Sequence, residues 1–185
     1  QFMLIEDLYK RVHELEVFKK GNFTLSSGKK SNFYLDGRII SLDPVGVKKI
    51  GKIFLSKIDS SFDKIGGPAT AAIPLISTTI LTAKLINNKN LPGFYVRSSA
   101  KEHGLTNKIE GNLNRGDKVV IVDDTVTTGG SIINTIGAVR KVGANVNLSL
   151  SVFDRNEGGA EKIKQAGIEH YSIFKYNDQK KDLTF

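Results

Sequence analysis

The segment VVIVDDTVTTGGS, Val119 to Ser131, decides how this chain folds. Val119 to Val122 is an apolar run of strand length, set between Gly116-Asp117 and Asp123-Asp124. From Gly129 to Val142 the pattern changes to a helix, with Ile132, Ile133, Ile136 and Val139 on one side and Gly143 as the stop. Val146, Leu148, Leu150 and Val152 then alternate with Asn147, Ser149 and Ser151, the pattern of a second strand. Strand, helix and strand in that order make a parallel pair joined by a right-handed crossover, so the expected fold class is α/β with a parallel sheet flanked by helices.

Upstream, Leu4, Leu8, Val12 and Leu15 recur at helical spacing and predict a helix over Met3 to Phe18, stopped before Gly21. Phe23, Leu25, Phe33 and Leu35 alternate with polar residues around Ser26-Ser27-Gly28 and predict a hairpin between Asn22 and Ile40. Asp43-Pro44 opens a helix reaching about Ile58, since proline suits a first helical turn. Ile65-Gly66-Gly67-Pro68 interrupts the pattern. After a short strand, Ala71 to Leu85 reads as another helix, and Phe94-Tyr95-Val96 as a brief buried strand. Ser98 to Asn112 is polar, without sustained periodicity, and is expected to be a long loop.

The chemistry concentrates after the first strand. Ligands of open α/β sheets bind at the carboxyl ends of the strands. There the turn from Thr125 through Val126 to Gly130 can aim successive backbone N–H groups at one anion, joined by the hydroxyls of Thr125, Thr127, Thr128 and Ser131. Gly129 and Gly130 permit close approach, and the helix N-terminus adds about half a positive charge. The segment lacks both Gly-x-x-x-x-Gly-Lys and Gly-x-Gly-x-x-Gly, so it is neither a nucleoside-triphosphate loop nor a dinucleotide fingerprint. Asp123 and Asp124 repel each other unless hydroxyls or a metal ion compensate them, and ribose hydroxyls would serve. A plainer role for Asp124 is capping the turn. Together the two features imply a ribose 5-phosphate.

Composition narrows the setting. The 185 residues amount to about one domain. Zero Cys excludes disulfides, a thiolate nucleophile and Cys-ligated metal, and it suits a reducing compartment, so a cytoplasmic location is expected. No apolar run is long enough to span a membrane, and Glu6 and Asp7 do not suit a secretory signal. The net charge of +8 arises from 27 basic and 19 acidic residues; 21 of the basic residues are Lys, scattered in pairs such as Lys48-Lys49 and Lys180-Lys181. Such scatter is a solubilising surface, so neither nucleic acid nor membrane is expected as a partner.

The acid pair followed by the Thr/Gly loop resembles the hallmark of the type I phosphoribosyltransferases. The resemblance implies that Asp123 and Asp124 hold the ribose hydroxyls of phosphoribosyl pyrophosphate, and that Thr125, Val126, Thr127, Thr128, Gly129, Gly130 and Ser131 hold its 5-phosphate. Three other stretches are similar to the orotate-using branch of that family: FTLSSGKKSNFYLD at 23–36, RSSAKEHG at 97–104 and DRNEGG at 154–159. The implied organisation is one domain, with residues 1–40 forming a helix and a substrate-covering hood, residues 41–185 the core, and residues 98–112 a flexible loop. In a homodimer that loop reaches the partner subunit's site through Lys101 and His103.

These stretches also make physical sense alone. Arg97, Lys101 and His103, with Lys108 further on, supply donors for a diphosphate leaving group. Lys101, His103, Asp123 and Asp124 are therefore the expected catalytic residues. The family assigns orotate to Thr127 and Arg155. Arg155 follows a strand and can grip a carboxylate or carbonyl with parallel bonds, unless Asp154 or Glu157 holds it as a surface ion pair. Phe33 and Tyr34 either stack on a pyrimidine or fill the core. The resemblance further implies Mg²⁺, carried by the substrate near Asp123 and Asp124 rather than bound by dedicated protein ligands.

Three positions depart from the commonest family pattern: Ser26, Ala71 and Ser98 each stand where a Lys is frequent. That leaves Arg97, Lys101, His103 and Lys29 or Lys30 to neutralise highly anionic substrates. Two rival readings remain: a purine-base phosphoribosyltransferase, and a regulator of the same fold that senses phosphoribosyl pyrophosphate and binds nucleic acid through the +8 surface.

Overall fold

The structure is a computed structural model that describes residues 1–25, 28–98 and 108–185. It opens with helix α1 (Phe2–Glu14), which turns Leu8 and Val12 into the core. An antiparallel hairpin follows, β1 (Phe18–Thr24) with β2 (Lys30–Leu35). The helical expectation reached Phe18, but the helix ends at Glu14, the backbone turns at Glu16 with φ +52°, and Phe18 begins the strand. Past the hairpin a short helix, α2 (Gly37–Ser41), replaces the expected continuation to Ile40, because the Asp36 side chain accepts a hydrogen bond from the Arg38 backbone N–H and caps it.

Helix α3 (Pro44–Leu55) starts on Asp43, whose side chain accepts from Gly46 N–H at 2.8 Å. The same carboxylate receives Arg11 Nη2 at 2.7 Å and Nε at 3.0 Å, tying α1 to α3. Next come β3 (Lys64–Pro68), α4 (Ala72–Asn87), β4 (Gly93–Val96) and β5 (Ile109–Gly111). The short strand expected ahead of Ala71 is β3, and Gly66-Gly67, which interrupts the apolar pattern, lies inside it. A Cβ at Gly67 would strike the Val122 carbonyl oxygen and stand 2.6 Å from Ala72 Cβ, so glycine is what lets β3 lie this close to its neighbours.

The second half contains β6 (Lys118–Val126), α5 (Gly130–Val142), β7 (Asn145–Asp154), α6 (Gly159–Gln165), β8 (Glu169–Asn177) and β9 (Asp182–Thr184). Among the described residues, seven strands form one sheet in the order β5-β4-β3-β6-β7-β8-β9. The inner pairings are parallel, and the edge strands β5 and β9 run antiparallel. Edge strand β5 corrects the reading of residues 98–112 as loop throughout, since Glu110 pairs with Tyr95.

β6 also runs longer than its apolar residues indicated. Asp123 lies opposite Ser151, Thr125 opposite Phe153 and Val126 opposite Asp154. The ladder with β7 carries β6 past the carboxylates that were read as its end. Side-chain alternation divides the core in two. Val120 and Val122 join α1, α3 and α4 on one face, while Val119 and Ile121 join α5 and α6 on the other.

Candidate active site

β6 delivers Asp123 and Asp124 to the carboxyl edge of the sheet centre. Asp123 is 5% exposed, and its Oδ1 accepts the Asp124 backbone N–H at 2.9 Å. Burial, reinforced by the neighbouring Asp124 charge, pushes the Asp123 carboxyl well above the usual carboxylate range. Burial also raises Asp124. A buried acid pair in this condition is stabilised by groups that donate hydrogen bonds or positive charge to it. The short helix α2 backs onto Asp124 and Thr125 at Gly37, and it carries Arg38, whose Nε and Nη2 meet the Asp36 oxygens at 2.9 and 3.0 Å. Sequence reading missed α2; its only local signal was Asp36 two residues ahead of Arg38.

The next residues form a rigid loop. Gly129 caps α5 in the left-handed region at φ +80°, and a Cβ there would lie 2.9 Å from the Gly159 carbonyl oxygen. Val126 O accepts from Arg155 N–H at 2.9 Å and Thr127 O from Gly159 N–H at 3.1 Å. These bonds fasten the loop to the connection after β7. Among the described residues, no side chain caps the N-terminus of α5, so its first-turn N–H groups can serve an anion, with Thr128 and Ser131 exposed beside them.

Arg97, Ser98 and Lys108 line a cleft of about 990 Å³ together with Ala69 and Ser131. The cleft runs along α5 from Ser131 to Val142, with Arg97 on its opposite wall. Arg97 is held at its backbone, N–H to Lys108 O at 2.7 Å, and its Nη1 lies 3.5 Å from Glu110 Oε1. Lys101 and His103 fall outside the described residues, as does Ser26. Ala71 lies immediately ahead of α4 and makes no side-chain cap.

Arg155 stands just past the end of β7: the ion pair with Glu157 that the alternative reading named is present, but the arginine is buried, 6% exposed, rather than on the surface. Its Nε donates to Glu157 Oε1 at 3.2 Å and its Nη2 to Ser31 Oγ at 3.2 Å. Asp154 turns elsewhere, accepting Asn156 N–H at 2.8 Å. The guanidinium lies 4.2 Å over the Phe33 ring, which is stacked at 4.0 Å on Tyr176. Phe33 is therefore core and platform for Arg155, while Tyr34, on the opposite face of β2, keeps 38% exposure. Ser31 is the residue that sequence reading missed at this end. A serine inside a hairpin strand carries no signal until the fold sets it beside residue 155.

Among the described residues, no group of three or more His, Cys, Asp or Glu side chains could hold a metal ion by itself. The acid pair still suits Mg²⁺ chemically, since it offers hard oxygen donors of raised basicity, and Mg²⁺ takes few protein ligands when substrate oxygens or water complete its shell.

Residues 43–174 match the family model of the phosphoribosyl transferase domain. An orotate phosphoribosyltransferase of Rhodopirellula baltica is 39% identical over 163 residues, covering 84% of each chain. One from Pyrococcus horikoshii is 38% identical over 84% of this chain and 82% of that one. Among solved structures, Mycobacterium tuberculosis orotate phosphoribosyltransferase in complex with 5-phospho-alpha-D-ribosyl 1-diphosphate superposes with a TM-score of 0.75 at 28% identity, over 93% of this chain and 96% of that one. With a family model matched over most of its length and relatives of this identity and coverage, the chain belongs to the type I phosphoribosyltransferase family, among its orotate phosphoribosyltransferases.

Proposed function

We propose that this protein transfers the 5-phosphoribosyl group of phosphoribosyl pyrophosphate to orotate, giving orotidine 5′-monophosphate and pyrophosphate. The observation that carries the reading is Arg155: a buried fork laid over Phe33, fastened by its own backbone to the loop that follows the acid pair. It sets a planar, anion-gripping group beside a phosphate-and-ribose site. Orotate, planar and carrying a carboxylate with ring carbonyls, fits that fork, and the relatives that are orotate phosphoribosyltransferases support the reading.

In the reaction, the bond from the anomeric carbon to the pyrophosphate oxygen breaks, and one to a pyrimidine ring nitrogen forms with loss of that nitrogen's proton. The transition state has oxocarbenium character, so positioning and charge compensation carry the catalysis and no protein nucleophile is needed. Asp123 and Asp124 orient the ribose hydroxyls. The loop from Thr125 to Ser131 anchors the 5-phosphate, and Arg97, with Lys101 and His103, receives the departing pyrophosphate. Thr127 and Arg155 orient orotate. Mg²⁺, when bound, neutralises pyrophosphate charge, and Asp123 and Asp124 are the residues that would hold it, directly or through water.

The active assembly is a homodimer in which residues 98–112 complete the partner subunit's site. A cytoplasmic location goes with the cysteine-free composition. The deciding experiment offers a panel of bases with phosphoribosyl pyrophosphate and Mg²⁺ and follows which is consumed. Orotate is the expected base; consumption of adenine, guanine or hypoxanthine in its place would overturn the assignment.

A further inference from the structure

Glu157 lies two residues past Arg155, and each of its carboxylate oxygens meets a different cation. Oε1 accepts from Arg155 Nε at 3.2 Å, and Oε2 from Lys29 Nζ at 2.9 Å. The two contacts are unequal. The Lys29 side chain is 62% exposed, so its ion pair is screened by water, whereas that of Arg155 is 6% exposed. Burial raises the Glu157 carboxyl, but the hydrogen bonds from Lys29 and Arg155 outweigh it and hold the group below the usual carboxylate range. Glu157 is therefore an anion at neutral pH, and its firm attachment is to the arginine.

Three contacts define where the Arg155 guanidinium lies. Phe33 supports its face, Ser31 takes one Nη2 hydrogen, and Glu157 takes Nε. Of these, only Glu157 acts on the Nε side, so it sets how the fork is turned within its own plane. A guanidinium carries its five N–H donors in a fixed geometry. Among the described residues, the Nη1 amino group has no partner, and it belongs to the end of the fork that grips a planar pair of acceptors.

We propose that Glu157 is a positioning residue for the base: it turns the Arg155 fork so that the Nη end meets the acceptor edge of orotate, without touching the substrate itself. The inference rests on orotate being the base, as proposed above. Net charge alone would work in the opposite direction, because an anion beside Arg155 competes with an anionic ligand. Orientation dominates here because the arginine is buried and has few other ways to be held.

Two substitutions separate geometry from charge. Glu157→Gln keeps an acceptor at the same reach and loses the charge; Glu157→Asp keeps the charge and shortens the reach. Glu157→Asp is expected to raise the KM for orotate about tenfold, a typical loss for a misplaced charged hydrogen bond. The KM for phosphoribosyl pyrophosphate, kcat and the melting temperature should change little. Glu157→Gln should stay near wild type. In an Arg155→Ala background neither change should alter the orotate KM further. If Glu157→Gln instead lowers the orotate KM while Glu157→Asp leaves it unchanged, charge governs and the positioning role is wrong. Equal effects of Glu157→Asp on both substrates would also overturn it. A wild-type enzyme that consumes no orotate would sink the base assignment itself, an outcome visible before any variant is made.

Discussion

The two halves of the site are built in opposite ways. The half proposed for ribose phosphate, Asp123 to Ser131, is one continuous strand end, turn and helix start, so its donors and acids are neighbours in the chain. The half proposed for the base joins Arg155 to Ser31, 124 residues away, and lays it on Phe33. Its parts meet only because the β1–β2 hairpin folds over the end of β7. A phosphate needs many similar donors converging on one point, which a glycine-rich turn at a helix N-terminus supplies locally. A planar base needs a few groups on one plane at set angles, and distant segments provide such groups around Arg155. On the proposed reading, the transferred group would be recognised by a local device and the acceptor by a tertiary one.

The largest expected effect tests the local half. Asp124→Asn should lower kcat/KM for phosphoribosyl pyrophosphate by about 10²–10³-fold, the scale for removing one group that acts on the transition state, with little change in the affinity for orotate. The raised Asp123 carboxyl adds a pH signature. Its folded pKa lies above the ordinary 3.8, so its contribution to stability is fully present below that value and is lost as pH rises through the raised one. Melting of the ligand-free protein should therefore show a declining stability limb on the alkaline side of pH 4, and Asp123→Asn should flatten it. Melting curves with the same slope in both proteins would break this account.

Next in size, Arg155→Ala tests the tertiary half. Charged hydrogen bonds of roughly 1.5–3 kcal/mol correspond to an orotate KM raised about tenfold to a hundredfold. Steady-state kinetics with each substrate varied should show the KM for phosphoribosyl pyrophosphate nearly unchanged. Equal effects on both would mean that the halves are not separable and that the contrast drawn above fails.

The smallest effect falls on the seam between them. Gly129→Ala forces a left-handed φ of +80° on a residue with a Cβ and presses it against Gly159 O. A cost of roughly 1–3 kcal/mol is expected, seen as a melting temperature lowered by several degrees and a modestly raised KM for phosphoribosyl pyrophosphate. No change in either would show that the loop is less tightly fastened than the backbone bonds at Val126 and Thr127 indicate.

Much of the fold was legible because periodicity reports burial. The strand at Val119, the helix after Gly129 and the alternating β7 all appear where their apolar residues place them. The misjudged strand limits share one cause. Gly66-Gly67 lacks side chains, Asp123-Asp124 is polar, and Ile109–Gly111 is short, so none carries the apolar pattern of a strand locally. Each is strand because a neighbouring strand satisfies its backbone groups, a condition set by residues distant in sequence.

By itself the sequence determined the α/β class and brought together the half proposed for ribose phosphate, since the strand, acid pair, turn and helix start are consecutive and their physics is local. Only the tertiary structure decided that Arg155 is buried, that Phe33 is its platform while Tyr34 stays open, and that Glu157 rather than Asp154 holds its Nε. Those outcomes depend on which surfaces the hairpin covers, and burial of a charged group is a property of the whole packed chain rather than of any window along it.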